Sequence, residues 1–283
     1  MNYREADLVV ISDLHLGTYG CHAQEIAQYL RHIRPKWLIL NGDIIDGWQF
    51  SKRYFPPAHL QVIKEILTLT ELGTRVVYIT GNHDEMLRRY SGWQLSHFQI
   101  TDKLVLEIDG QMTWIFHGDV FDATTKGTAK IIAKLGGIGY DWLILLNRLI
   151  NWILVKCNRP KMSLSKKVKN GVKKAVSFID NFEQTAAELA IEKGYKHVIC
   201  GHIHQPQQRV IKTAKGAVTY LNSGDWIENL TALEYSKGSW QLYHYQESDY
   251  AAAPVISMVK RTPEANVMTE EISIHIHSLH LPL

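Results

Sequence analysis

Five short apolar runs, each ending in residues that can bind metal, constrain this chain more than any other feature. Leu8-Val9-Val10-Ile11-Ser12 leads into Asp13-Leu14-His15, and Trp37-Leu38-Ile39-Leu40 into Asn41-Gly42-Asp43-Ile44-Ile45-Asp46. Val76-Val77-Tyr78-Ile79-Thr80 leads into Gly81-Asn82-His83-Asp84, and Thr113-Trp114-Ile115-Phe116 into His117-Gly118-Asp119. His197-Val198-Ile199-Cys200 leads into Gly201-His202-Ile203-His204. Runs of this length, rich in β-branched and aromatic residues, suit buried strands better than helices. Between the first three, residues 23–33 and 59–72 carry apolar side chains at three and four spacing, which predicts helices, with Gly73 as a C-cap. Strand alternating with helix predicts an α/β fold.

In such sheets the ligand site lies outside the carboxyl ends of the strands. Every cluster here follows a strand, so residues remote in sequence are expected to converge on one rim. After the fifth cluster, residues 218–221, 230–235 and 239–245 alternate and are separated by turn signals; they read as antiparallel strands completing a second sheet. Residues 272–277 alternate too and suggest one more strand.

Aspartate, asparagine and histidine in this mixture suit manganese, iron, zinc or cobalt, and the absence of a thiolate cluster argues against a structural zinc site. Asp-x-His and Gly-His-x-His each place two ligands on one side of an extended chain. Asp13, His15, Asp43, Asn82, His117, His202 and His204 are too many for one ion and fit two, with Asp43 as the natural bridge. Two divalent ions roughly 3.5–4 Å apart can hold a hydroxide for in-line attack at phosphorus. His83 is then placed to bind a phosphoryl oxygen or protonate the leaving oxygen, with Asp84 to orient it. Asp46 and Asp119 are expected to hold ligand histidines or their turns. A single Gly-Asp or Asp-x-His is usually only a turn; five in succession after strands are not independent accidents. The other histidines, His22, His32, His59, His97, His197 and His244, lie in helix or loop patterns without partner ligands, and His275, His277 and His280 read as tail residues.

This motif series resembles the calcineurin-like metallophosphoesterase superfamily over roughly residues 8–204. The resemblance implies a four-layer sandwich of two mixed sheets flanked by helices. It also implies one metal on Asp13, His15, Asp43 and His204, and a second on Asp43, Asn82, His117 and His202. Within the superfamily the chain is similar to the UDP-2,3-diacylglucosamine diphosphatases of lipid A biosynthesis. His117-Gly118-Asp119 followed by a long insertion, and Asn170-Gly171-Val172-Lys173 on the insertion's last helix, carry that likeness. It implies substrate contacts from Asn82, His83, Asp122, Asn170, Lys173 and His202. This chain has His83 where relatives often carry Arg, and Lys166 where they carry Ser.

The insertion, at about residues 123–180, has its own chemistry. Between Lys126 and Lys174 stand twelve Lys or Arg and one acid, Asp141; this net +11 leaves −8 on the rest of a chain whose total is +3. An anionic partner is expected. Within it, residues 141–155 form the most apolar stretch; as a helix, Asn147, Arg148 and Asn151 share one face and the wide apolar remainder carries Trp142 and Trp152. As a helix it would be about 22 Å long, short of the roughly 30 Å needed to span a bilayer. Flanked by lysines, it reads as a lid helix lying in an anionic membrane surface and sheathing an acyl chain. A hairpin packed on the core and a dimer interface are the alternatives. Nucleic acid is not expected, because aliphatic rather than aromatic residues accompany the basic ones.

With 283 residues, 46% hydrophobic, the chain suffices for one core. Residues 1–246 are expected to form a single domain and 247–283 a partly disordered tail. Three unpaired cysteines and an acid-bearing start suggest a reducing compartment and no signal peptide, hence a cytoplasmic enzyme peripheral to the inner membrane face. The expected reaction is cleavage of UDP-2,3-diacylglucosamine to UMP and 2,3-diacylglucosamine 1-phosphate by a metal-bridging hydroxide, with manganese as the expected ion. A metallophosphoesterase acting on another phosphodiester or phospholipid is the alternative, and a non-catalytic scaffold a more distant one. Oligomeric state is not legible.

Overall fold

The computed structural model describes residues 3–48, 54–124, 156, 169–250 and 274–276. Strand β1 (Arg4–Ile11) is followed by α1 (Ala23–His32), β2 (Ile33–Asn41), α2 (Pro57–Glu71) and β3 (Arg75–Ile79). A 3-10 turn, Glu85–Tyr90, precedes β4 (Gln94–Leu95), β5 (Phe98–Thr101), β6 (Lys103–Ile108) and β7 (Gln111–Phe116). Helix α3 (Lys169–Glu192) leads to β8 (His197–Cys200), β9 (Gln207–Thr213), β10 (Gly216–Asn222), β11 (Thr231–Ser236), β12 (Ser239–His244) and β13 (Ile274–Ile276). All five cluster-bearing runs are strands, and both expected helices form.

Two mixed sheets result. One has the order β12-β11-β1-β2-β3-β5-β4 and the other β13-β6-β7-β8-β10-β9. Side chains alternate between two cores, which is why the strands read as unbroken apolar runs. Val9 and Ile11 of β1, Leu38 and Leu40 of β2, and Val76 and Tyr78 of β3 pack with α1 and α2. Their neighbours Leu8, Val10, Trp37, Ile39, Val77 and Ile79 meet Ile115, Ile199 and Leu221 of the second sheet. The other face of that sheet, through Phe116, Val198, Cys200 and Tyr220, packs on Phe182, Ala186 and Ala190 of α3. The layers are therefore helices, sheet, sheet, helix. Each fully buried Leu, Val or Ile contributes about 1.5–3 kcal/mol, so a register slip in a central strand would be severe.

One expectation needs correction. Residues 218–221, 230–235 and 239–245 do not complete one antiparallel sheet. β10 runs parallel to β8 in the second sheet, whereas β11 lies antiparallel to β1 and carries β12 onto the edge of the first. The connection between β10 and β11 crosses from one sheet to the other. Its crossing is held by Thr231, whose hydroxyl donates to the Ser223 carbonyl at 2.7 Å.

The expected lid helix, residues 141–155, lies outside the described residues, as does most of the tail. Residues 274–276 pair antiparallel with β6. Among the described residues no helix is long and apolar enough to cross a membrane.

Candidate metal centre

The loops leaving the strands are zipped to one another. Asp13 N–H donates to the Gly42 carbonyl at 3.0 Å and His15 N–H to the Asp43 carbonyl at 2.9 Å, extending the β1–β2 pairing past the strand ends. Gly201 N–H donates to the His117 carbonyl at 2.9 Å, and the Asn41 side chain reaches across the sheets to the Phe116 carbonyl at 3.2 Å. This lattice gathers all five clusters on one rim.

Three groups of side chains offer ligand atoms within 4.8 Å of one another: Asp13, His15 and His204; His15, Asp43 and His83; Asp43, His117 and His202. His204 Nε2 lies 3.1 Å from Asp13 Oδ1, and His117 Nε2 lies 3.1 Å from Asp43 Oδ2. The shared members, His15 and Asp43, make the three groups one continuous centre.

Tautomers and unmet bonds show which way the ligands face. His15 Nδ1 is 3.2 Å from Asp46 Oδ2, and His117 Nδ1 is 2.8 Å from the Asn41 carbonyl. With Nδ1–H donating outward, each ring presents Nε2 to the centre, as metal-binding histidines do. Those two Nε2 atoms, together with Asp13 Oδ1 and Asn82 Oδ1, are buried without a well-formed hydrogen bond; His117 Nε2 and Asp13 Oδ1 have only the 3.1 Å ion-pair contacts with Asp43 and His204. Buried polar atoms left unpaired are costly, and four in one place suit divalent cations. The donor set, imidazole nitrogen with carboxylate and amide oxygen, fits such ions.

The backbone is strained at the same place. Asp13, His15, Asp43, His202 and His204 all have positive φ, between 49° and 67°, and they are five of nine such non-glycine residues among those described. Each costs about 1–3 kcal/mol and persists only where its surroundings over-determine it. Glycines make room where chains meet. A Cβ on Gly81 would lie 2.7 Å from the Asp43 nitrogen and 2.9 Å from His117 Cδ2, and one on Gly201 would lie 2.7 Å from Asp13 Oδ2.

The electrostatics call for positive charge. Burial pushes the carboxyls of Asp13 and Asp43 up, but neighbouring imidazoles outweigh it and hold both below the usual range. Conversely, burial lowers His117 and His204, and Asp43 and Asp13 outweigh that; His204 is raised to about 9. Protons on these rings occupy the place that cations would take, so metal and proton compete.

Asp46, not Asp84, orients His83. Asp46 Oδ2 is 2.8 Å from His83 Nδ1, so one carboxylate serves both His83 and His15. Asp84 is turned inward, accepting from Ile44 N–H at 2.9 Å, Gly81 N–H at 2.6 Å and the Tyr78 hydroxyl at 2.6 Å. It holds the turn that carries Asn82 and His83. Asp119 is paired with Arg88.

The fifth strand of the second sheet adds residues that the ligand pattern overlooked. Asn222 donates to the Gly201 carbonyl at 2.9 Å, Ser223 and Ser12 share a hydrogen bond of 2.7 Å, and Asp225 accepts from Ile227 and Glu228 N–H. Asn229 then holds the His204 carbonyl at 3.0 Å. Their signal was present: Asn222-Ser223-Gly224-Asp225 follows β10 as the other clusters follow their strands.

Asp122 lies in a 3-10 turn, Asp119–Thr124, and Asn170 and Lys173 lie on α3; their side chains are outside the described residues. Phe182 of the same helix packs under Gly118 and lies 6.2 Å from the His202 ring. At about 1.5 Å per residue, Lys173 and Asn170 sit some 14 and 18 Å along the helix axis from that point.

The calcineurin-like phosphoesterase family matches residues 6–206. The chain belongs to that family. It is a phosphoester or diphosphate hydrolase that works with divalent metal ions. A UDP-2,3-diacylglucosamine hydrolase of Aliivibrio fischeri is 24% identical over 244 residues, covering 83% of this chain and 97% of its own. The enzyme of that name from Vibrio cholerae El Tor N16961 is 25% identical over 239 residues, covering 80% and 93%. Among solved structures, a Vps29 variant from Entamoeba histolytica overlaps 84% of this chain and 97% of its own at 12% identity, with a TM-score of 0.38.

Proposed function

We propose that this enzyme hydrolyses the diphosphate of a lipid-linked UDP-sugar, UDP-2,3-diacylglucosamine, giving UMP and 2,3-diacylglucosamine 1-phosphate. The observation that carries the chemistry is the convergence of four buried ligand atoms, on Asp13, His15, Asn82 and His117, that lack a well-formed hydrogen bond. The substrate follows from relatives of that name matched over most of their length.

In this reading Asp13, His15, Asp43 and His204 hold one ion and Asp43, Asn82, His117 and His202 the other, with manganese the ion expected. Bound there, divalent ions supply Lewis acidity and an activated water for in-line displacement at phosphorus. Asp46 fixes the rings of His15 and His83. With His83 Nδ1 committed to Asp46, Nε2 is the nitrogen that carries a proton to the leaving sugar phosphate or donates to a phosphoryl oxygen. Asn170 and Lys173, far along α3, would reach the sugar and its phosphate, and Asp122 would add a substrate contact. The basic insertion would take the acyl chains and lie on an anionic membrane surface at the inner face of the cytoplasmic membrane, around a single domain over residues 1–246.

A second reading, a hydrolase of another phosphodiester or phospholipid, is favoured by the full Gly81-Asn82-His83-Asp84 motif, with His83 where relatives often carry Arg. The two separate on relative kcat/KM. The lipid-UDP reading expects UDP-2,3-diacylglucosamine to exceed a small aryl phosphodiester by orders of magnitude, and Asn170→Ala with Lys173→Ala to reduce only the lipid substrate. Comparable rates on both substrates, unchanged in the double variant, would favour the second reading.

A further inference from the structure

Beside the metal centre stands an exposed tryptophan held in one position. Trp48 follows Asp46 and Gly47 at the end of the loop after β2. Its indole packs at a tilt against the His83 imidazole, with ring centroids 4.1 Å apart and 31° between planes. Two backbone bonds lock the loop: Trp48 N–H donates to Asp46 Oδ1 at 3.0 Å, and Gly47 N–H donates to the His83 carbonyl at 2.8 Å. A Cβ on Gly47 would lie 2.7 Å from that same carbonyl, so the close approach that seats Trp48 over His83 requires glycine.

Trp48 as a whole residue is nevertheless 43% exposed. A large aromatic left in water, yet fixed by the carboxylate that orients two residues of the centre, is preorganised for a ligand rather than for the core. The ring lies against His83, which lines the centre with His15 and Asp43, so its face is adjacent to that centre. An acyl chain gains little from a flat, fixed face; a heterocyclic base gains affinity by stacking on one.

We propose that Trp48 is the platform on which the nucleobase of the substrate stacks, and that it sets selectivity for a nucleotide over a bare sugar phosphate. This rests on the reading that a nucleoside phosphate occupies the centre. Trp48 thereby couples base recognition to the ring that handles the leaving oxygen.

The test compares UMP with ribose 5-phosphate, which share the phosphate and pentose but differ in the base. Dissociation constants are measured by titration calorimetry on the manganese-loaded full chain, wild type, Trp48→Ala and Trp48→Phe. The wild type is expected to bind UMP at least about fivefold more tightly. Trp48→Ala removes this advantage by weakening UMP, and Trp48→Phe keeps part of it. No preference in the wild type, or a preference untouched in Trp48→Ala, overturns the proposal. So does an equal loss for both ligands, which would mean that Trp48 only braces His83. The lipid reading fails separately. A protein that prefers UMP through Trp48 but leaves UDP-2,3-diacylglucosamine intact keeps the platform and loses the lipid substrate.

Discussion

Gly81→Ala isolates the part played by space at the metal centre. Gly81 has no positive φ, so alanine brings no backbone strain of the left-handed kind. The added methyl would lie 2.7 Å from the Asp43 nitrogen, 2.9 Å from His117 Cδ2 and nearer still to Asp43 Oδ1. That is roughly 0.7 Å or more inside ordinary contact, so Asp43, the shared carboxylate, must move. Asp43 Oδ1 also accepts His83 N–H at 2.8 Å, so His83 moves with it. Overpacking of this kind costs about 1–3 kcal/mol, a fall in Tm of about 2–12 °C for a domain of this size. A displacement near 1 Å at a reacting centre costs about 100-fold in rate. Metal content after dialysis, measured by plasma mass spectrometry, is expected to fall together with kcat/KM. Gly73→Ala is the control: its φ of +97° makes alanine costly by about 1–2 kcal/mol, but nothing lies within 4 Å, so metal and activity stay at wild-type levels. Full metal occupancy and full activity in a folded Gly81→Ala protein would refute the reasoning.

Further outcomes follow from single contacts. Asp46→Asn keeps the size of the side chain but loses its charge and can accept at only one atom, so it cannot both accept the Trp48 N–H and hold the rings of His15 and His83 as the carboxylate does; metal affinity in chelator competition is expected to fall about 10- to 100-fold. Unchanged affinity would assign Asp46 to the fold alone. Asn222→Ala frees the Gly201 carbonyl beneath His202 and His204, and should weaken metal binding with a loss of about 1–3 kcal/mol in denaturant unfolding. His59 is buried on α2 and accepts Gly17 N–H at 2.8 Å, and burial lowers its pKa. A neutral imidazole in the fold contributes fully above the unfolded value near 6.5, and its contribution is lost as pH falls below that. His59→Asn keeps an acceptor and cannot titrate, so its Tm should fall less than that of the wild type between about pH 7.5 and 5.5; an equal fall would show that His59 does not set this dependence.

What the sequence made legible was whatever local spacing determines. Short unbroken apolar runs ending in ligand clusters identified β1, β2, β3, β7 and β8, and the rim on which Asp13, Asp43, Asn82, His117 and His204 meet. β9 was missed because Gln207-Gln208-Arg209 gives a polar edge strand no apolar signature. β4 to β6 escaped because no ligand cluster marks their ends. The placement of β11 beside β1 depends on a crossing that no local pattern encodes. The partner of His83 was misassigned for a similar reason: adjacency suggested Asp84, but the turn aims that carboxylate at Tyr78 and Ile44, while Asp46, which also contacts the ligand His15 as expected, arrives from the neighbouring loop.

The most direct test of the central claim is to incubate the manganese-loaded enzyme with UDP-2,3-diacylglucosamine in oxygen-18 water and weigh the products by mass spectrometry. Attack at the phosphorus nearest the uridine predicts UMP carrying one heavy oxygen, unlabelled 2,3-diacylglucosamine 1-phosphate, and neither product from Asp43→Ala. No UMP, label in the sugar phosphate, or undiminished turnover by Asp43→Ala would contradict the account.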